Sequence, residues 1–332
     1  MTETPAAHSV DVFAAIEDVR STYIDYPQAA RLYRAIEAFH RAGHTGREGM
    51  CLMLVGPRRS GKTTILQRYI AHHPRVTDGN ADRRPVTYVE VPAKCRLPSV
   101  AEAVLRALGD LRPSKGTLPE RTARILHHME MQQVGMLIFD EFQHLIAPNS
   151  EKVDYDVADW VKSLVNTSKL PILLAGKPAA TRVLKANDQL CDRNQGVLRV
   201  APFDWDDKVS KLEFRRILAE FEPKLRFSCE QSPFSPDISH RIYCATEGLI
   251  GKVVRLFTTA LLLAEEDGLQ VISLGLLSLA FERLTVESED DDDEPSVNPF
   301  VDSDPEKALK PAPDRSRVTR LRSQKGKRRA AA

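Results

Sequence analysis

Eight consecutive residues, Gly56-Pro57-Arg58-Arg59-Ser60-Gly61-Lys62-Thr63, stand between an apolar run ending in Met53, Leu54 and Val55 and a stretch of helical pattern. The two glycines let successive backbone N–H groups curl around an anion, and the helix that follows points the positive end of its dipole at the same place. A lysine and a hydroxyl residue directly after the second glycine complete a grip for a nucleoside triphosphate. Lys62 would reach the β- and γ-phosphates, and the Thr63 hydroxyl would hold Mg²⁺. The loop residues 56 to 63, together with Thr64, are the candidate nucleotide contacts.

A second group of chemical interest lies in "VGMLIFDEFQHL". Met136 to Phe139 read as a buried strand, so Asp140 and Glu141 emerge at its C-terminal end, the edge at which a parallel sheet carries its ligands. Asp140 suits the Mg²⁺ shell and Glu141 suits polarisation of an attacking water. A carboxylate there favours hydrolysis over transfer to an acceptor. Two further positions are open to two readings each. Lys177, at the tip of "LPILLAG", is a γ-phosphate sensor or a surface turn lysine. Arg193, in "NDQLCDRNQGVLRV", is an arginine finger offered to a neighbouring subunit or a salt-bridged surface arginine. Its place after a helix and before the last strand puts it on the far side of the domain from its own nucleotide.

These residues need a scaffold, and the pattern supplies one. Apolar runs at 50–55, 86–91, 135–140, 171–175 and 197–201 alternate with helical patterns at 62–73, 98–109, 119–132 and 153–167. That rhythm predicts an α/β domain with a parallel five-stranded sheet and helices on both faces. Pro27 opens a preceding helix with Ala30, Leu32, Tyr33, Ile36 and Phe39 at 3-4 spacing. Beyond residue 205 only helical patterns remain, the first capped by Asp204 or Asp206, which predicts a small all-helical domain. The expected divisions are a flexible lead-in over 1–25 with an amphipathic segment around Val12, Phe13 and Ile16, a nucleotide-binding domain over 26–203, a helical lid over 204–285, and a disordered tail over 286–332.

Composition excludes little. The 332 residues are 42% hydrophobic and 28% charged, with a formal net charge of +1, so no global charge points to nucleic acid or membrane. The tail is less neutral than this suggests. Residues 287–306 hold ten acidic side chains and no basic one, and residues 307–332 hold ten Lys or Arg against one Asp. The five cysteines (Cys51, Cys95, Cys191, Cys229, Cys244) form no C-x-x-C pair, which suits reduced thiols rather than a metal site. No apolar run reaches the ~18 residues of a membrane span. "MTETPAAHSVD" is too polar for a secretory signal, so the expected location is cytoplasmic.

In order, these segments resemble the AAA+ ATPases, and within them the TniB/TnsC transposition regulators related to MuB. "YIDYPQAARLYRAIEAF" is similar to their tyrosine-proline lead-in helix, "MLIFDEFQHLI" to their Asp-Glu segment, "LPILLAGKPAA" to the sensor strand, "NDQLCDR" to the finger segment, and "TEGLIGKVVRLFTTALLLAEEDG" to the lid helix. The similarity spans roughly residues 20–284. It implies ATP with Mg²⁺ as cofactors, with Lys62, Thr63, Asp140 and Glu141 acting in cis and Arg193 in trans. It further implies a bacterial homo-oligomer, ring or helical filament, on duplex DNA. Such an assembly presents target DNA to a DDE transposase and works with a TniQ-like targeting protein, and hydrolysis controls its disassembly. The chain departs from the family in having Asn194 after Arg193 where Phe is common, and Lys177 where Thr or Asn is usual. Lys252 and Arg255 are both candidates for the lid arginine sensor.

For DNA, the loop "VPAKCRLPS" offers Lys94 and Arg96, and "LRPSKGTLPER" offers Arg112, Lys115 and Arg121. Such side chains would contact phosphates rather than bases. The basic tail "DRSRVTRLRSQKGKRR" is a further electrostatic candidate, or a solubilising segment masked by its acidic neighbour. Two other classes compete with an assembly switch. One is a helicase or clamp loader, for which no helicase motif set is present. The other is a STAND-type signalling ATPase, which would carry a long repeat domain not found here.

Overall fold

In the computed structural model of the chain, the residues described are 11–45, 48–78, 81–93, 95–146, 151–286 and 297–309. Helices α1 (Val12–Ser21) and α2 (Pro27–Thr45) precede strand β1 (Met50–Val55) and helix α3 (Lys62–Ala71). A short hairpin, β2 (Val76–Asp78) and β3 (Ala81–Arg83), leads to β4 (Val86–Glu90). Then come α4 (Leu97–Ala107), α5 (Leu118–Met131), β5 (Met136–Asp140), α6 (Glu151–Ser168) and β6 (Pro171–Gly176). Two five-residue helices, α7 (Arg182–Ala186) and α8 (Asp188–Asp192), lead into β7 (Asn194–Arg199).

The five long strands form one sheet in the order β4-β5-β6-β1-β7, every neighbouring pair parallel. Alternation along the central strands builds two apolar layers, because successive side chains point to opposite faces. Cys51, Met53, Leu137, Phe139, Ile172 and Leu174 pack with α4, α5 and α6 on one face. Leu52, Leu54, Met136, Ile138 and Leu173 pack with Leu32, Ile36 and Phe39 of α2 and Ile65, Leu66 and Tyr69 of α3 on the other. Strands covered on both sides have no polar face, which is why β1, β5 and β6 read as continuous apolar runs.

The edge strand differs from expectation. β7 begins at Asn194, three residues before the apolar run at 197, because its first half is the partly exposed segment Asn194-Gln195-Gly196. The β2–β3 hairpin was not expected either; three-residue strands are too short to show a period.

The chain divides into two units. One runs from Tyr23 to Asp204 and includes Leu249–Lys252; the other takes α1, Trp205–Gly248 and the described residues from Val253 onward. The second unit holds α9 (Lys208–Phe221), α10 (Pro236–Thr246), most of α11 (Ile250–Glu266) and α12 (Leu274–Val286). The cap of α9 is neither Asp204 nor Asp206 but Asp207, whose Oδ1 accepts from the Ser210 N–H at 2.8 Å. Of the acidic residues before α9, it is the one directly ahead of Lys208, three residues short of a free N–H. This unit is also not wholly helical, since β8 (Ser228–Cys229) pairs in parallel with β9 (Val271–Ile272).

Within the same unit α1 takes the place of part of the expected flexible lead-in. Asp11 caps it through the Ala14 N–H, Val12, Ala15, Ile16 and Val19 are buried, and Asp18 pairs with Arg226 at 2.7 Å. Phe13, grouped with the amphipathic face from sequence, points outward at 73% exposure. Within the stretch expected as a tail, residues 297–309 are packed. Phe300 is buried edge-on to Phe281, and Arg241 donates to the carbonyls of Pro299 and Asp302 at 2.7 and 3.1 Å. The rest of that stretch, 287–296 and 310–332, lies outside the described residues. No helix among the described residues is long and apolar enough to cross a membrane.

Candidate functional site

The phosphate loop leaves the C-terminal end of β1 and turns into α3 through two left-handed residues, Arg59 (φ 62°) and Gly61 (φ 92°), the latter capping the helix. Lys62 is the first residue of α3 and is buried; its ammonium donates to the carbonyls of Gly56 at 3.0 Å and Pro57 at 2.8 Å. Burial pushes its pKa below the ordinary lysine value, the carboxylates of Glu141 and Asp140 pull it back up, and Lys177 adds to the fall. Arg58 and Thr64 are exposed.

Thr63, one residue on, donates its hydroxyl to Oδ2 of Asp140 at 2.7 Å. Asp140 is buried at the end of β5, and the same oxygen accepts from the Tyr88 hydroxyl at 3.0 Å, while Oδ1 accepts from the Glu141 N–H at 2.8 Å. Burial and the nearby Asp140 charge push the Tyr88 phenol up, so it stays a donor. Glu141 sits in the left-handed region (φ 55°), which turns its side chain off the strand line. One of its carboxylate oxygens accepts from the Gln143 amide and lies 3.7 Å from His144 Nε2.

Thr63 and Asp140 supply a hydroxyl and a carboxylate side by side, the hard oxygen donors that Mg²⁺ takes together with phosphate and water oxygens. Ser60 Oγ is buried without a protein hydrogen-bond partner, which leaves it for a phosphate oxygen. The donor set fits a magnesium nucleotide. Beside the loop, the Tyr26 and Phe203 rings meet at 5.4 Å, with the Tyr26 hydroxyl 4.0 Å from where a side chain on Gly61 would begin.

A further contact reaches the loop from Gly251, whose N–H donates to the Arg59 carbonyl at 2.9 Å. A Cβ on Gly251 would lie 2.7 Å from that oxygen, so only glycine permits the approach. Lys252 belongs to the same short segment; Arg255 belongs to the other unit.

Arg193 stands elsewhere. It follows α8, its guanidinium is 3.4 Å from the Gly49 carbonyl and 3.9 Å from Glu48, and its own carbonyl accepts from the Cys51 N–H. These are the residues that open β1, whereas the phosphate loop leaves the other end, roughly 20 Å away for a six-residue strand. Glu48 is exposed, so this long ion pair contributes little.

The two loops offered for DNA lie together, because Arg121 clamps them. It donates to Pro98 O at 2.8 Å on one side and to Gly116 O and Ser114 O on the other. Arg121 is thus a brace and not a free phosphate contact, a correction to its expected role. Arg96, Arg112 and Lys115 remain exposed. Lys94 lies outside the described residues.

Tyr88 and Gln143 carry no motif of their own, and sequence reasoning missed them. The one available signal was position: Tyr88 on the strand expected beside the Asp140 strand, and Gln143 two residues past Glu141.

Comparison with known proteins gives the following. The family model described as "Bacterial TniB protein" matches residues 16–200. No curated protein sequence matches the chain. Among solved structures, Cdc6p from Pyrobaculum aerophilum aligns over 80% of this chain and 70% of its own, with 14% identity and a TM-score of 0.57. The Aeropyrum pernix ORC1 protein in complex with DNA aligns over 81% and 69%, with 15% identity and a TM-score of 0.57. The ORC2 protein of the same organism, in ADPNP–ADP complexes, aligns over 80% and 71%, with 16% identity and a TM-score of 0.55. At such identities the likeness is one of fold alone.

Proposed function

The chain belongs to the TniB family, and from that premise we propose that it is an ATP-dependent DNA-binding transposition protein. In this reading it assembles on target DNA, recruits and activates a DDE transposase, and uses ATP hydrolysis to time its own disassembly. One observation carries the reading most: Lys62, Thr63, Asp140 and Glu141 converge at one end of the sheet while Arg193 sits at the other.

Each residue then has a task. Lys62 exchanges its two loop carbonyls for phosphate oxygens, and the Ser60 hydroxyl and loop N–H groups complete the cradle. The Tyr26–Phe203 pair offers an aromatic face for the base. Thr63 and Asp140 would hold Mg²⁺, which supplies charge neutralisation at the β- and γ-phosphates. Glu141 orients a water and draws its proton, and Lys177 reads the γ-phosphate from the neighbouring strand. Arg193 serves the nucleotide of the next copy, since its own lies beyond reach. Arg96 and Lys115 meet the DNA backbone on their clamped loops. DNA-bound and nucleotide-bound proteins of the same fold, the two Aeropyrum pernix examples above, support this reading.

The test is electron microscopy of the protein with ATP and duplex DNA. Rings or filaments that vanish with Lys62→Ala are expected; particles that stay monomeric would sink the reading, and ATP-driven strand separation would favour a helicase-like motor. Capture of a DDE transposase by the ATP-loaded assembly tests recruitment.

A further inference from the structure

The side chain of Gln143 has its orientation decided by its two partners. Its Oε1 accepts from the Lys177 N–H at 2.9 Å, and a backbone N–H can only donate. The Nε2 group must therefore face the other way, where it donates to the Glu141 carboxylate. The Lys177 N–H belongs to the same peptide unit as the Gly176 carbonyl, and that carbonyl accepts from the N–H of Gly56, the first residue of the phosphate loop, at 3.2 Å. A peptide unit is planar and stiff. One rigid group thus holds the loop by its oxygen and Gln143 by its nitrogen.

Gly176 makes room for this arrangement. A Cβ there would lie 2.5 Å from Gln143 Oε1 and 3.3 Å from the backbone nitrogens of Phe142 and Gln143. The tip of β6 and the 3-10 turn Phe142–Leu145 are packed as closely as a glycine permits, so the Gln143 amide has one seat.

We propose that Gln143 is a positioning residue for hydrolysis, which sets the Glu141 carboxylate in register with the phosphate loop through the Gly176–Lys177 peptide. Gln143 touches neither the nucleotide grip nor the magnesium donors. It acts by fixing which oxygen of Glu141 is hydrogen-bonded and which is left to a water, and it passes a shift of the loop to that carboxylate. The inference rests on the reading of Glu141 as the water-polarising group.

The experiment compares Gln143→Ala, Gln143→Glu and Gly176→Ala in DNA-stimulated ATP hydrolysis, with nucleotide affinity measured separately by titration of a fluorescent ATP analogue and folding by thermal melting. Gln143→Glu keeps the side-chain volume and an acceptor for the Lys177 N–H but replaces the donor to Glu141 with a second carboxylate, so it disturbs that contact while leaving the packing in place. Expected is a fall in kcat of about 10- to 100-fold in both Gln143 variants, with the analogue's Kd changed by less than about twofold. Gly176→Ala should lower kcat similarly, and the Gly176→Ala/Gln143→Ala pair no further, because both break one link. Wild-type kcat in Gln143→Glu, or penalties that add in the double variant, would overturn the proposal. Glu141→Gln is the control. If it hydrolyses normally, the reading of Glu141 fails; if it is inactive while the Gln143 variants turn over normally, the positioning role alone fails.

Discussion

Thr63 and Asp140, 77 residues apart in the chain, share a hydrogen bond of 2.7 Å that fastens the first turn of α3 to the tip of β5. Tyr88, from a third element, donates to the same carboxylate oxygen, so two hydroxyls fix its direction, and under the proposed role that oxygen is the one aimed at Mg²⁺. Partners that orient a metal ligand matter nearly as much as the ligand. Tyr88→Phe should therefore leave the fold intact and raise the Mg²⁺ concentration needed for half-maximal ATP hydrolysis by about tenfold. Magnesium titration of the ATPase rate checks this; an unchanged midpoint would mean that Tyr88 only fills space.

Under the proposed role of Glu141, Glu141→Gln removes the proton acceptor and keeps the shape. Nucleotide affinity should stay near wild type while turnover falls by about 10²- to 10⁴-fold, and assemblies on DNA should outlast those of the wild type. Single-turnover hydrolysis together with DNA release after dilution measures both halves.

Arg193 and Lys62 fail differently if the arginine serves a neighbour. Lys62→Ala loses nucleotide but keeps its arginine; Arg193→Ala keeps nucleotide but offers nothing. A mixture of the two variants should hydrolyse ATP faster than either alone, since some junctions join an intact grip to an intact arginine. Rates that merely average would place Arg193 in its surface ion pair with Glu48.

On the DNA side, Arg96→Ala and Lys115→Ala should weaken binding uniformly across sequences, and each should lower the salt slope of log K by about one. Arg121→Ala should act through the loops instead. It frees three carbonyl partners, on Pro98, Ser114 and Gly116, and should lower the melting temperature as well as DNA affinity.

The thiols give a check on packing. Burial pushes Cys51 and Cys244 up to about 12 and Cys229 to about 11, so all three stay protonated, and unreactive, at pH 8. Cys191 is exposed. Brief alkylation at pH 8 followed by peptide mass analysis should find Cys191 modified first and Cys51 only after unfolding.

What the sequence disclosed follows from how each feature is encoded. Lys62 and Thr63 are legible because a phosphate grip needs contiguous residues, and Asp140 and Glu141 because an apolar strand points to its own end. β1, β5 and β6 are legible because both their faces are covered. Gln143 and Tyr88 are not, since Lys177 lies 34 residues from the one and Asp140 52 residues from the other, and both pairs meet only through the register of the sheet. Arg121 misled for a related reason: a guanidinium in a polar stretch, here the first turn of α5, looks the same in sequence whether it faces solvent or three carbonyls. The half-polar start of β7 and the three-residue strands of the hairpin fall below any periodic signal.

β1 has the phosphate grip at one end and Arg193 at the other. Under the proposed roles this gives every copy a front and a back that are chemically unlike. A contact made front to back is directional, and it leaves one unmatched face at each end of whatever has formed. Growth then stops only by closure into a ring or by exhaustion of ATP-loaded fronts. The supply of nucleotide at a single exposed end, rather than the total amount of protein, would decide how far along the DNA such an array extends.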